Sequence, residues 1–366
     1  MKNSQMIDKN EFIYLVANII WLNAMLAFPR YMIILAGTAG WILSLIIIMF
    51  SFLGVVVLYK LYKPFNGKDI LEIANITGGK KLEFLIGLFA LIQTFYGCVV
   101  VAREFGESLN IISLSNSPVG FVIFLLMLGS GVVACLGLKT IARLASMVAK
   151  VIMVGILLIL VGVINKFKVI NLFPILGNID GLKIRNGIIG MSWFSGILAY
   201  FILIPFLKNK NNSEKIAYKI VGLSGLFMFF VTLMYQGVFS YPCNKKQMFP
   251  LYALSRSIKQ GRKVERIEAI FLIIWVLSAL TFITVVLIVI AYLLKKLFKL
   301  KYDKPLILSA IVIIFSCSLM YKNIIETKDN FVSLYRRISF ITAYVVPFIL
   351  LIFANIKIHK EKKNNV

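Results

Sequence analysis

Apolar residues run with little interruption from Phe12 to Ile34, pause around Gly37 to Gly40, and resume from Trp41 to Tyr62. The same beat repeats to the end of the chain. It predicts about ten spans, at 12–35, 41–62, 84–112, 118–137, 142–164, 187–207, 216–240, 268–294, 305–321 and 334–355. Each run is roughly 18 to 25 residues long and lacks period-two alternation, the pattern of helices that cross a bilayer. Most connections are short. The segments 165–186 and 241–267 are too long for tight turns and predict small surface helices or lids.

Two of the runs are interrupted in a corresponding way. Span 1 carries WLNAMLAFP and span 6 carries MSWFSGILAYFILIP: each is apolar, broken by small or polar residues, and ends in proline. Paired interruptions of this kind predict an inverted-repeat membrane fold with a site at the breaks. Five spans per half place repeat one at about 12–164 and repeat two at about 187–355. One transmembrane domain then spans 1–366, with an outer loop at 241–267 and a basic tail at 356–366.

Composition sharpens this picture. Of the 366 residues, 60% are hydrophobic and 15% charged, and the mean hydropathy is +0.91. No water-soluble fold of this size hides so much apolar surface, so the chain is an all-α integral membrane protein. The net charge of +25 raises nucleic acid as a partner. The basic residues, however, lie in short clusters between apolar runs, with no basic stripe interleaved with stacking aromatics. They read as topology signals and contacts to lipid headgroups, and no nucleic-acid partner is expected.

Lys2, Lys9 and the group Lys60, Lys63, Lys68, Lys80 and Lys81 place the amino terminus in the cytoplasm. The even span count returns the tail, with Lys357, Lys360, Lys362 and Lys363, to the same side. Loop 241–267 breaks the rule, with Lys245, Lys246, Arg256, Lys259, Arg262, Lys263 and Arg266 outside. No cleavable leader is expected from the mixed-charge start MKNSQMIDKNE. Cys98, Cys135, Cys243 and Cys317 share no metal-ligand spacing, and the lone His359 sits in the basic tail. No metal, cofactor or catalytic set is expected, and no enzymatic activity.

The polar residues inside the spans are the candidate chemistry. Pro29 has no N–H to give the carbonyl near Met25, and Asn23 adds a donor and an acceptor. A bound amino acid would complete such groups; a proline kink with Asn23 bonded to a neighbouring helix is the other reading. In span 6, Ser192, Ser195 and Gly196 are the weak points. Either Trp193 and Phe194 close over a ligand, or Gly196 only permits close helix packing and Trp193 is an interface anchor. Arg103 and Glu107 form an i,i+4 pair beside Glu104, either a gate or a snorkelled structural pair. Gln93 and Gly97 lie deeper on one face. Lys150 in span 5 either snorkels to the interface or supplies charge at a cation site. Ser278, Thr281 and Thr284 form a polar stripe on span 8, facing a cavity or bonding back to the preceding turn.

Three segments together carry a family resemblance: VANIIWLNAMLAFPR in span 1, REFGESLNIISLSNSP at the end of span 3, and FPLYALSRSIKQGRKVERIEAIFLIIW leading into span 8. The chain resembles the B subunits of bacterial spore germination receptors, the spore germination permease family of the amino acid–polyamine–organocation superfamily. The resemblance implies a LeuT-type 5+5 inverted repeat with discontinuous helices 1 and 6. It implies a receptor subunit that senses a small germinant, commonly an amino acid, alongside A and C subunits in the inner membrane of the spore. An amino acid permease and an ion-conducting pathway are the alternatives. Carried over by position, the ligand contacts are Leu22, Asn23 and Ala24; Gln93 and Gly97; Ser195, Gly196 and Ile197; and Ser278 to Phe282, Thr281 among them. Met25 and Trp193 join these candidates from the reading of the breaks above. Two positions depart from the common pattern. Leu22-Asn23-Ala24 stands where glycines are frequent, and Ile197 stands where a glutamate often follows the span 6 glycine.

Overall fold

The computed structural model describes residues 6–177, 187–258, 267–321 and 331–364. Lys2, the loop residues Lys259, Arg262, Lys263, Glu265 and Arg266, and the side chains of Ala24, Lys362 and Lys363 lie outside that description. Helical segments stand over each of the ten expected spans. The described residues contain no sheet, only an isolated parallel bridge between Ile7 and Leu207. In hydrocarbon each backbone N–H and C=O needs an internal partner, and helices satisfy nearly all of them within the segment. Six helical runs among the described residues are long and apolar enough to cross a membrane, and three shorter apolar helices accompany them. The outward face is correspondingly greasy. Phe121, Phe124, Leu125, Leu128 and Val132 of span 4 are all exposed, an apolar stripe that suits lipid and not water.

Span 1 is two helices. Span 1a runs Lys9–Leu26 and span 1b Phe28–Ala36, separated by Ala27 at φ −153° and ψ −4°. The break falls after Leu22-Asn23-Ala24, which lies in regular helix, and not within it. Pro29 explains the position: it occupies the first turn of span 1b, where its missing N–H is not required, so the chain breaks just before it. Span 6 is discontinuous as well. A 3₁₀ segment Ile189–Phe194 (span 6a) turns at Ser195-Gly196 into the helix Ile197–Leu203 (span 6b), which ends in a tight turn containing Pro205. A side chain at Gly196 would bring its Cβ within 2.8 Å of Ile20, so bare backbone here lets the two broken spans touch.

Span 3 begins earlier than the hydropathy pattern indicates. Its helix runs Ile70–Ile112, opened by Asp69, whose carboxylate accepts from the Glu72 amide at 2.8 Å while Glu72 reaches back to the Asp69 amide. Non-helical geometry at Gly78 and Gly79 divides it into a short leading helix and the spanning part. Span 8, Ile267–Phe298, is the central column and packs against spans 1a, 3, 4, 5 and 9. Span 7, Ser213–Val238, packs against spans 1a, 1b and 2. Span 10 opens with the helix Ser333–Phe340, passes through a π-helical stretch at Ile341–Val345 and continues as Val346–Asn364.

The described parts of the long loops fold onto the end of the bundle that carries the turn between spans 1b and 2. Short helices at Cys243–Lys246 and Pro250–Ser257 cover it, and Arg30 Nε donates to the Lys245 carbonyl at 3.2 Å. The described part of 165–186 joins them: Asn171 Nδ2 donates to Gly237 O and Thr38 Oγ1 to Pro174 O, both at 2.8 Å.

Candidate functional site

Where spans 1a, 3, 6, 8 and 10 meet, the packing leaves a narrow, partly open cavity of about 30 Å³. Each element reaches it for a local reason. Span 1a contributes Ile19, one turn before Asn23. Span 3 contributes Gln93, Thr94 and Gly97 from one face. Span 6 contributes its turn, Ser195 and Gly196, and then Leu198 and Ala199. Phe282, Val286 and Val289 come from span 8, and Tyr335 from span 10. The lining is mostly apolar with a few polar groups, the general character of a small-molecule site. Thr94 spends its hydroxyl on the Ala90 carbonyl at 2.8 Å, whereas Gln93 Oε1 is buried with no hydrogen-bond partner. Gly97 is where it must be small: a Cβ there would come within 2.7 Å of the Tyr335 ring.

Of the residues singled out in the sequence, Gln93, Gly97, Ser195, Gly196 and Phe282 line this cavity. Leu22, Met25 and Ile197 are buried in the packing between spans and do not line it, and Ala24 belongs to the same helical turn. Ser278 and Thr281 are buried and do not line the cavity, although Ser278 lies one turn before Phe282 on the same side of span 8. Thr281 bonds back to the Leu277 carbonyl, and Thr284 to Leu280 O at 2.7 Å and to Ser130 O of span 4 at 3.3 Å. The cavity face of that helix is the apolar series Phe282, Val286 and Val289. Lys150 points outward from span 5 and is exposed, away from the cavity. Arg103 and Glu107 are joined in a buried ion pair, with side chains 8% and 7% exposed, so they are not snorkelled to the surface, and Glu104 is buried next to them.

Asn23 and Trp193 meet at a second feature beside the cavity. Asn23 Nδ2 donates to the Ile19 carbonyl at 2.8 Å, and its Oδ1 accepts from Arg336 Nη2 at 3.1 Å. The Arg336 guanidinium lies over the Trp193 ring, Cζ 3.4 Å from the ring centroid. Phe28 of span 1b meets Trp193 edge-on, and Tyr31 packs against it at a tilt. Spans 1a and 6a are therefore both joined to span 10 by one buried arginine. The sequence pattern did not single out Arg336 and Tyr335, nor the lining residues Ile19, Thr94, Leu198, Ala199, Val286 and Val289. Arg336 stands next to Arg337 at the start of an apolar run, where basic residues ordinarily flank the membrane. The one signal was its place two residues inside the expected span.

The two broken spans touching at mid-bundle, with a cavity at the junction, define a LeuT-type integral membrane protein. The chain belongs to the spore germination protein family, the spore permeases, whose pattern matches residues 6–327. It is 23% identical over 241 residues to spore germination protein KB of Bacillus subtilis (strain 168), covering 64% of each chain. It is 22% identical over 251 residues to spore germination protein B2 of the same organism, covering 66% of each. The chain thus spans a little under two thirds of the length of these relatives. Among solved structures, that of MhsT in complex with L-phenylalanine matches with a TM-score of 0.68, over 93% of this chain and 87% of that one, at 16% identity. That likeness is one of fold.

Proposed function

We propose that this chain is the membrane-embedded, germinant-sensing subunit of a spore germination receptor. It binds a small molecule, an amino acid, in the cavity between the broken spans. Occupancy shifts the helix bundle between two arrangements, and partner A and C subunits read the shift. The protein sits in the inner membrane of the spore with both termini in the cytoplasm, and no chemistry is done on the ligand. The observation that carries this reading is the cavity itself. It lies where spans 1a and 6 approach, and an apolar lining with few polar groups suits a small amphiphilic guest. Family membership and the L-phenylalanine bound by the fold relative support it.

The test is to fill the cavity. Ala199 lines it and is 6% exposed. Ala199→Phe is expected to raise the germinant concentration needed for half-maximal spore response by about a hundredfold, the loss of two to three kcal/mol of binding, with normal abundance of the protein. An unchanged response at normal abundance would place the sensing site elsewhere. Uptake of labelled amino acid by liposomes holding this chain alone would show that it is a permease in its own right.

A further inference from the structure

Arg336 carries more positive charge into the core than the packing uses. It is 6% exposed. One guanidinium nitrogen, Nη2, bonds to Asn23, and the planar face lies on Trp193. Nε and Nη1 are buried with no hydrogen-bond partner. Among the described residues no carboxylate is in ion-pair contact with it; Glu104 acts on it only as a longer-range attraction. A buried guanidinium with unused donors is among the costlier arrangements a protein keeps, and an anion that completes it removes the cost.

The surroundings say which anion. Tyr335, next in the chain, lines the cavity; Asn23 lies one helical turn from Ile19, which lines it; Trp193 lies two residues from Ser195, which lines it. The guanidinium does not itself line the cavity; it is held flat between an aromatic face and an amide oxygen, one residue along span 10 from a side chain that does. A planar, fixed fork of N–H donors matches the two coplanar oxygens of a carboxylate. The remaining wall, with Phe282, Val286 and Val289, suits hydrocarbon, and the unpartnered Gln93 Oε1 is an acceptor that an ammonium group would satisfy. We propose that Arg336 recognises the carboxylate of the bound ligand, and that the ligand is an α-amino acid with an apolar side chain. The proposal rests on the reading of the cavity as the ligand site and adds its anchoring group. Since Nε and Nη1 are covered in the structure, binding shifts the guanidinium and the Trp193 ring against each other.

The test uses the full-length protein in lipid nanodiscs, titrated with L-alanine, L-valine, L-leucine and L-phenylalanine and with the corresponding amides. Calorimetry reads affinity and tryptophan fluorescence reads the Trp193 environment. At least one acid is expected to bind at least about tenfold more tightly than its amide, the scale of one charge-assisted contact. Its binding should change the fluorescence in wild type but not in Trp193→Phe. Arg336→Gln is expected to remove the preference for acid over amide, with Arg336→Lys in between. The wild-type comparison of acid with amide needs no variant, so a poorly folding Arg336→Gln protein does not remove the test. Equal binding of acid and amide would overturn the role of Arg336 and leave the cavity standing as a ligand site. Failure of all eight compounds to bind wild type would overturn the amino-acid reading of the cavity, and this proposal with it.

Discussion

Asn23 is useful because it holds a cation, not because it opens the helix. Its amide nitrogen serves the Ile19 carbonyl and its oxygen serves Arg336, so both ends are used locally. Asn23→Leu keeps the volume and removes the acceptor, leaving a further guanidinium nitrogen buried and unmet. The expected cost is about 1–3 kcal/mol, read as a lower unfolding temperature in detergent. Adding Arg336→Met should recover most of the loss, because the penalty belongs to the stranded cation and vanishes with it. If the double variant is as unstable as the sum of the two single ones, the pair is not energetically coupled. Asn23 was legible because a polar residue inside an apolar run announces itself. Arg336 was not. Successive residues on a helix lie about 100° apart, so Arg337 is exposed while Arg336 is buried, and the sequence writes both as the same basic flank.

At the scale of the element, span 3 shows how a long helix is divided. Gly79 sits at φ 70° and ψ −166°, in a region that only glycine occupies at low cost, and no atom lies within 4 Å of a Cβ built there. The cost of Gly79→Ala is therefore conformational and not steric, about 1–3 kcal/mol. The expected result is an unfolding temperature lower by a few degrees, with the leading helix 70–78 realigned. An unchanged temperature would show that the bend relaxes freely. The spanning helices were legible from apolar run length, because lipid leaves the backbone no other solution. The leading helix was not, since its polar residues read as loop. The sign was the capping pair at Asp69 and Glu72, four residues that hydropathy averages away. Span 8 shows the reverse difficulty. Its polar stripe drew attention, yet the cavity face is Phe282, Val286 and Val289, and an apolar wall facing a cavity has the same pattern as one facing lipid.

Across the whole molecule, the end that carries the amino terminus is tied shut by a continuous set of contacts. The Ile7 amide donates to the Phe206 carbonyl at 2.8 Å, fastening the amino terminus to the end of span 6. Phe206 meets the Tyr292 ring edge-on, and Tyr292 on span 8 donates its hydroxyl to Asp69 at the start of span 3. Lys296, one turn further along span 8, closes an ion pair with the fully buried Asp69 and lies 3.5 Å from Glu72. Spans 3, 6 and 8 all line the cavity, so separating them at this end opens the cavity from this side. Removing either charge alone strands the other. The informative variant is the double one, Asp69→Asn with Lys296→Met, which weakens the tie without leaving a lone buried charge. If the tie holds the closed arrangement by about 1.4 kcal/mol, the open population rises about tenfold. The measurement is the labelling of Ser195→Cys by a membrane-impermeant maleimide, in a protein whose Cys98, Cys135, Cys243 and Cys317 are replaced. The expected outcome is a labelling rate about tenfold higher from the amino-terminal side, with an unfolding temperature close to that of the parent. An unchanged rate in a stable protein would assign closure to the backbone tie between Ile7 and Phe206, and shortening the chain before Asp8 would then be the variant that opens it.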